Sequence, residues 1–140
     1  MTYHSTAAAR FAVLAALLGT AAGASTTRTA ESAPAGKTVA RYLPYTKAAF
    51  DAARGMKRVL FFHATWCPSC RGADADIMKK LGEIPGNVVI FKADYDKETA
   101  LKKQYGIVSQ HSFVLADSSG KALKKWSGGK LSTIISKTQD

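Results

Sequence analysis

The chain places Trp66-Cys67-Pro68-Ser69-Cys70 between the apolar run Arg58-Val59-Leu60-Phe61-Phe62-His63 and a helical pattern that starts at Pro68. Two thiols that bracket the start of a helix meet unpaired backbone N–H groups and the positive end of the helix dipole. Both favour a thiolate. This spacing predicts Cys67 as the more exposed sulfur and Cys70 one turn further in. Pro68 suits the first helical position, where its missing N–H is not needed. These are the only two cysteines, so neither a multi-bridge framework nor a four-cysteine metal site is available. Four readings of the pair remain open: a redox-active dithiol, a structural disulfide, half of a zinc site, and two unbonded buried thiols. A disulfide closing so short a loop stabilises weakly. A zinc site needs two further ligands, and there is no second C-x-x-C.

Around this motif the sequence predicts alternating helices and strands. Thr46 is a candidate N-cap for a first helix ending near Gly55, with Phe50 and Ala53 facing the core. Residues 58–63 are a short apolar run, the signature of a buried strand. A helix follows from Pro68 to Leu81. Ala73, Ile77 and Leu81 lie along one face with Met78 beside them, and Gly82, Pro85 and Gly86 end it. Val88-Val89-Ile90-Phe91 is a second buried strand. Asp96 is a candidate cap for a helix running through Tyr105, with Leu101 and Tyr105 on one face. Residues 112–116 form a third strand, Asp117 to Gly120 a turn, and Ala122 to Trp126 a fourth strand. Leu131, Ile134 and Ile135 mark a closing helix. The crossover helix between the first two strands requires them to be parallel, and the tight turn between the last two makes those antiparallel. The expected fold is α/β: a mixed four-stranded sheet with helices on both faces.

The N-terminus reads as a targeting segment. Arg10 precedes the apolar run from Phe11 to Leu18, and small residues end in Ala22-Gly23-Ala24. That order matches a secretory signal with an A-x-A cleavage site. The run is too short for an ordinary transmembrane helix. Residues 1–24 are therefore assigned as a signal peptide, 25–40 as a flexible lead-in rich in Ser, Thr, Ala and Gly, and 41–140 as the folded domain. Export to the periplasm or cell envelope would place the cysteines where disulfides persist. The formal charge of +10 comes from 20 basic and 10 acidic residues. Its lysines form scattered pairs, Lys79-Lys80, Lys102-Lys103 and Lys124-Lys125, rather than a basic block. They read as a solvated surface and not as a nucleic-acid site.

The stretch from Val59 through Cys70, then Lys92-Ala93-Asp94, then Tyr105-Gly106-Ile107-Val108 and Phe113-Val114-Leu115 before the Gly120 turn, resembles the thioredoxin superfamily over residues 41–138. The likeness is greatest to the exported thioredoxin-like disulfide oxidoreductases of bacteria. It implies a three-layer sandwich and thiol–disulfide exchange through a mixed disulfide. It further implies protein disulfide or dithiol substrates, a membrane or soluble electron partner, a monomer and no cofactor. By this resemblance Cys67 is the attacking thiol, Cys70 the resolving thiol and Trp66 an exposed aromatic platform. Pro68, Ser69, Gln110 and His111 would flank the site.

Two positions depart from the family pattern. Phe61 stands where a buried carboxylate usually lies behind the disulfide, so any proton relay for Cys70 must come from another group. His111 stands where a cis-proline usually faces the sulfurs. An imidazole there suggests reach toward Cys67, and a rival function: a copper or zinc carrier using Cys67, Cys70 and His111. A redox-inactive partner-binding domain is the third reading. His63, at the strand end near the motif, reads as a packing histidine.

Overall fold

A computed structural model describes residues 41–139 of the chain. The assigned signal peptide and lead-in, residues 1–40, lie outside the described residues. The elements run β1 (Tyr42–Pro44), α1 (Lys47–Ala52), β2 (Lys57–His63), α2 (Pro68–Lys79), β3 (Val88–Asp94), α3 (Thr99–Tyr105), β4 (Ser112–Ala116), β5 (Ala122–Ser127) and α4 (Leu131–Gln139). The sheet has five strands in the order β1-β3-β2-β4-β5, not the four expected. β2 runs parallel to β3 and antiparallel to β4, and β4 and β5 form the antiparallel pair anticipated from the turn. The additional strand, β1, pairs in parallel with β3 at the sheet edge. It is three residues long and ends in Pro44, which has no N–H to donate. An edge strand tolerates that, but a run so short gives no periodic signal.

β2 is buried on both faces, which is why it reads as an unbroken apolar run. Alternate side chains serve two separate cores. Val59 and Phe61 join Ile90, Phe113 and Leu115 under α2 and α4, which contribute Ala73, Ile77, Leu131 and Ile134. Leu60 and Phe62 join Val89, Phe91 and Val114 under α1 and α3, which contribute Phe50, Leu101 and Tyr105. The helices therefore cover both faces as expected.

Several boundaries differ from the sequence reading, each for a local reason. Thr46 does cap α1, its hydroxyl accepting from Ala49 N–H at 3.1 Å, but the helix stops at Ala52 rather than near Gly55. α2 stops at Lys79, and the chain tightens into a single 3-10 turn over Leu81–Glu83. That change of winding swings Leu81 off the buried stripe, and Met78 also faces solvent. Asp96 does not cap α3, whose first turn follows Glu98. The Asp94 carboxylate instead accepts from the N–H groups of Asp96 and Lys97 at 3.0 and 3.3 Å. Gly106 closes α3 in the left-handed conformation, φ 63°, and Ile107 N–H then donates back to Lys102 C=O at 2.8 Å.

Arg58 ties the second core together. It is buried to 1% exposure, with its guanidinium 4.1 Å from the centre of the Phe50 ring. Nη1 donates to Phe50 C=O at 2.9 Å and Nη2 to Asp117 C=O, joining the end of α1 to the β4–β5 turn. Arg58→Met keeps most of the apolar volume and removes both donors. We expect a loss of about 1–3 kcal/mol, read as a lower denaturant midpoint, because a buried donor–acceptor pair is broken. A change within error would show that the guanidinium contacts contribute nothing net.

Candidate functional site

The C-terminal end of β2 delivers the chain through Ala64-Thr65-Trp66 to the first turn of α2. Cys67 is the N-cap, with extended φ/ψ, and Pro68 holds the first helical position. The Cys67 Sγ accepts from Cys70 N–H at 3.3 Å and lies 3.2 Å from Ser69 Oγ. A sulfur thus does what a Ser or Asp oxygen does at an ordinary N-cap. This geometry folds Cys67 back onto the helix and buries it more than expected. Its exposure is 2% against 0% for Cys70, so it is the outer sulfur by a narrow margin only. Both cysteines are free thiols.

The two thiols differ in acidity. Burial pushes Cys67 up, but hydrogen bonds from the Cys70 thiol, the Ser69 hydroxyl and the Cys70 and Ser69 backbone outweigh it and leave the group below its usual range. Cys70 is pushed up to about 11, first by burial and then by its bond and charge interaction with Cys67. Backbone groups at Ala64 and His111 act against that rise. The outer thiol is the acidic one, as the helix N-terminus requires.

The flanking residues fall around this turn. Trp66 is 55% exposed and its indole N–H donates to the Asp96 carboxylate at 3.0 Å. That bond is available because Asp94, not Asp96, closes the turn before α3. Pro68 and Ser69 are exposed, and Gln110 is half-buried in the loop before β4.

His111 is where the structure departs most from the sequence reading. No peptide bond among the described residues is cis, so the chain enters β4 through a trans bond. His111 adopts φ 58°, a left-handed conformation that histidine tolerates better than most residues. Its N–H donates to Phe62 C=O at 2.9 Å and its C=O accepts from Gly128 N–H at 2.8 Å. The imidazole Nε2 is 3.0 Å from Gly129 C=O, and the ring packs against Phe61 and Phe113. Gly129 is itself required there: its φ is 105°, and a Cβ would lie 2.7 Å from Thr133. The ring is therefore committed to the turn before α4 and not to Cys67. Among the described residues no three His, Cys, Asp or Glu side chains converge to hold a metal ion. The expected Cys67, Cys70 and His111 ligand set is not assembled.

Behind the thiols, Phe61 stacks on Phe113 at 4.6 Å between ring centres, and Phe113 stacks on Trp126 at 5.4 Å. His63 stands edge-on to Phe61 at 5.5 Å. It is buried and packed as expected, but its Nε2 has no hydrogen-bond partner, and burial pulls its pKa below the usual value. A polar group not anticipated from the sequence lies on the same face. The Asp74 Oδ1 on α2 accepts from Tyr42 Oη and from Lys92 Nζ, the latter at 3.1 Å. The sequence signal for Asp74 is its place as the carboxylate four residues after Cys70. Tyr42 gives no such signal, because it belongs to the unforeseen β1.

A family model described as Thioredoxin matches residues 42–140. No curated protein matches the chain. Solved structures similar to it include thioredoxin f from spinach chloroplast, 22% identical with a TM-score of 0.60, covering 71% of this chain and 92% of that one. A thioredoxin from Fasciola hepatica is 26% identical with a TM-score of 0.55, covering 64% and 88%. Trxlp from Edwardsiella tarda is 24% identical with a TM-score of 0.57, covering 69% and 96%. With a C-x-x-C at the N-terminus of the helix that follows a central strand, and the family model spanning residues 42–140, the chain belongs to the thioredoxin family.

Proposed function

We propose that this protein is an exported thiol–disulfide oxidoreductase acting on protein disulfides. The observation that carries the reading is two free thiols on one helix turn, with the Cys67 sulfur capping the N-terminus of α2 and accepting from Cys70 N–H at 3.3 Å; the lowered Cys67 and raised Cys70 acidities agree with it. In the reducing direction the Cys67 thiolate attacks one sulfur of a substrate disulfide. A Cys67–substrate bond forms, the substrate S–S bond breaks, and the released substrate thiolate takes a proton from water. Cys70 then attacks Cys67, forming the Cys67–Cys70 bond and freeing the second substrate thiol. The oxidised pair is returned to the dithiol by a membrane or soluble thiol partner. Trp66, exposed beside the motif and anchored by Asp96, supplies an apolar surface against which a substrate chain can lie.

Two measurements test this. In Cys70→Ser, the alkylation rate of Cys67 followed against pH should have its midpoint below the free-cysteine value of about 8.5. A midpoint at or above that value removes the nucleophile from the reading. The parent should reduce insulin with a dithiol donor, and Cys67→Ser should abolish the reaction. Equal insulin reduction by the two proteins would leave a partner-binding domain without redox chemistry.

Export is tested separately. The order of Arg10, an apolar run and Ala22-Gly23-Ala24 supports cleavage after Ala24. Protein recovered from the native cell envelope should begin at Ser25. A mature chain that retains Met1 would reject the signal peptide.

A further inference from the structure

The loop after α3 and strand β5 bound a cavity of about 190 Å³ that is open to solvent. Gly106, Val108, Ser109, Ser112, Lys125 and Ser127 line it. Strand register places it. Ser112 of β4 stands opposite Ser127 of β5, and Val114 opposite Lys125. Lys125 and Ser127 therefore project to the side of the sheet where Val114 packs with α1 and α3. The Lys125 ammonium donates at 3.0 Å to the C=O of Tyr105, the last residue of α3. Its Nζ lies 3.6 Å from where a Cβ on Gly106 would stand. That bond uses one of three ammonium protons. None of the ion pairs among the described residues uses Lys125. Buried Ser112 donates to Ser109 C=O at 2.8 Å, and its Oγ lies 3.4 and 3.1 Å from the hydroxyls of Ser109 and Ser127. Its one proton is on the backbone, so Ser109 and Ser127 are the donors in those two contacts. Each can rotate toward a stronger acceptor. On the rim Val108 is exposed, and its C=O accepts from Tyr95 Oη at 3.1 Å, which holds the rim in place.

We propose that this cavity is a subsite for a carboxylate side chain of the polypeptide whose disulfide meets Cys67, held by Lys125 Nζ and by the hydroxyls of Ser109 and Ser127. The site itself stands on the cavity, and its part in substrate choice rests on the exchange reading above. One ammonium and two neutral hydroxyls match a single negative charge, and hydrogen bonds to an ionised acceptor are the stronger kind. The exposed Val108 offers an apolar contact to the methylenes that lead to the acid. The cavity is close to the exchange site. His111, whose backbone acts on Cys70, follows Ser109 by two residues, a span of at most about 7 Å. An acid a few residues from the substrate cysteine is therefore within reach of the cavity. The surrounding charge has the same sign. Over residues 99–139 Asp117 is the only acidic residue against seven lysines. Its carboxylate accepts from the N–H groups of Ser119 and Lys121, at 2.8 and 2.9 Å. Such a field draws acidic segments toward this edge of the molecule. Lys125 is the lysine that the fold sets into a cavity with hydroxyl donors.

The test uses short peptides with one cysteine, joined as a mixed disulfide to a coloured aromatic thiol, and a single Glu a few residues away. Each has a Gln counterpart. Binding is read first, without exchange, on the same peptides with serine in place of cysteine, from the amide shifts of Gly106, Ser109 and Ser127. The Glu peptide should bind about fivefold more tightly than the Gln peptide, the upper scale of a partly exposed ion pair. Lys125→Met keeps the stem, removes the charge and should bring that ratio to about one, while Lys125→Arg should keep most of it. Lys124→Met is the control, because the Lys124 ammonium bonds Lys137 C=O on α4, and it should leave the ratio unchanged. If Lys125→Met does not fold, the pair Ser109→Ala and Ser127→Ala decides, and it should narrow the ratio. Equal binding of the two peptides by the parent overturns the proposal, as does a ratio that survives Lys125→Met. A ratio lost equally in Lys124→Met assigns the effect to the basic surface as a whole and also overturns it. Inorganic phosphate competing more strongly than acetate would overturn the choice of a carboxylate. Release of the coloured thiol by Cys67 separates the two ideas. Release with no preference between the Glu and Gln peptides in binding would sink the subsite and leave the exchange reading. A Lys125-dependent preference in binding with no release would do the reverse.

Discussion

The first turn of α2 has backbone N–H groups with no helical partner, and everything at this site follows from what satisfies them. Here the acceptor is the Cys67 sulfur, bonded to Cys70 N–H. A thiol is a weak acceptor and a thiolate a strong one, so a helix end capped in this way favours ionisation of that sulfur. The turn must also be held in place, and β2 does that. Because β2 is buried on both faces, its side chains are fixed by two cores at once and its end cannot shift without disturbing both. Asp76 adds a further tie, accepting from Leu131 N–H at 3.1 Å and so joining α2 to the start of α4.

The cores also decide where polar chemistry can sit. Phe61, Phe113 and Trp126 form a continuous aromatic stack beneath the α2 face of the sheet. A carboxylate on β2 would have to be buried among those rings at heavy desolvation cost. The carboxylate nearest the resolving thiol in sequence lies instead on α2, at Asp74, with β1 and β3 supplying its donors. The edge strand β1 thus places Tyr42 as well as extending the sheet.

The sheet interior and the motif are legible in the sequence because they carry strong local signals. β4 has the bounds expected of it, and β2 and β3 stand out as apolar runs, since strands buried on both faces leave no polar interruption. Thr46 is recognisable as a cap because a hydroxyl before an apolar periodic stretch has few other uses. What escapes a sequence reading depends on tertiary geometry. β1 is stable only because β3 pairs with it. Leu81 has helical spacing, but the winding changes before it. Asp96 is of the right type for a cap, yet Asp94 takes the backbone N–H groups and frees Asp96 for Trp66. In each case the residue type is plain in the sequence and its partner is not.

His111 shows most clearly how a position can keep one role while losing another. Its imidazole is fixed on Gly129 C=O and packed against Phe61 and Phe113, so it offers the sulfurs no ligand atom. Its backbone nonetheless contributes to the environment of Cys70, favouring the thiolate there. The left-handed turn at φ 58° fits both facts. It presents the main chain to Phe62 and to Gly128 while turning the ring toward the loop before α4. A position whose main chain serves the site can exchange its side chain more freely than one whose side chain does the chemistry. The same reasoning explains why Cys67 and Cys70 admit no such exchange: their sulfurs, not their backbones, are what the helix end acts upon.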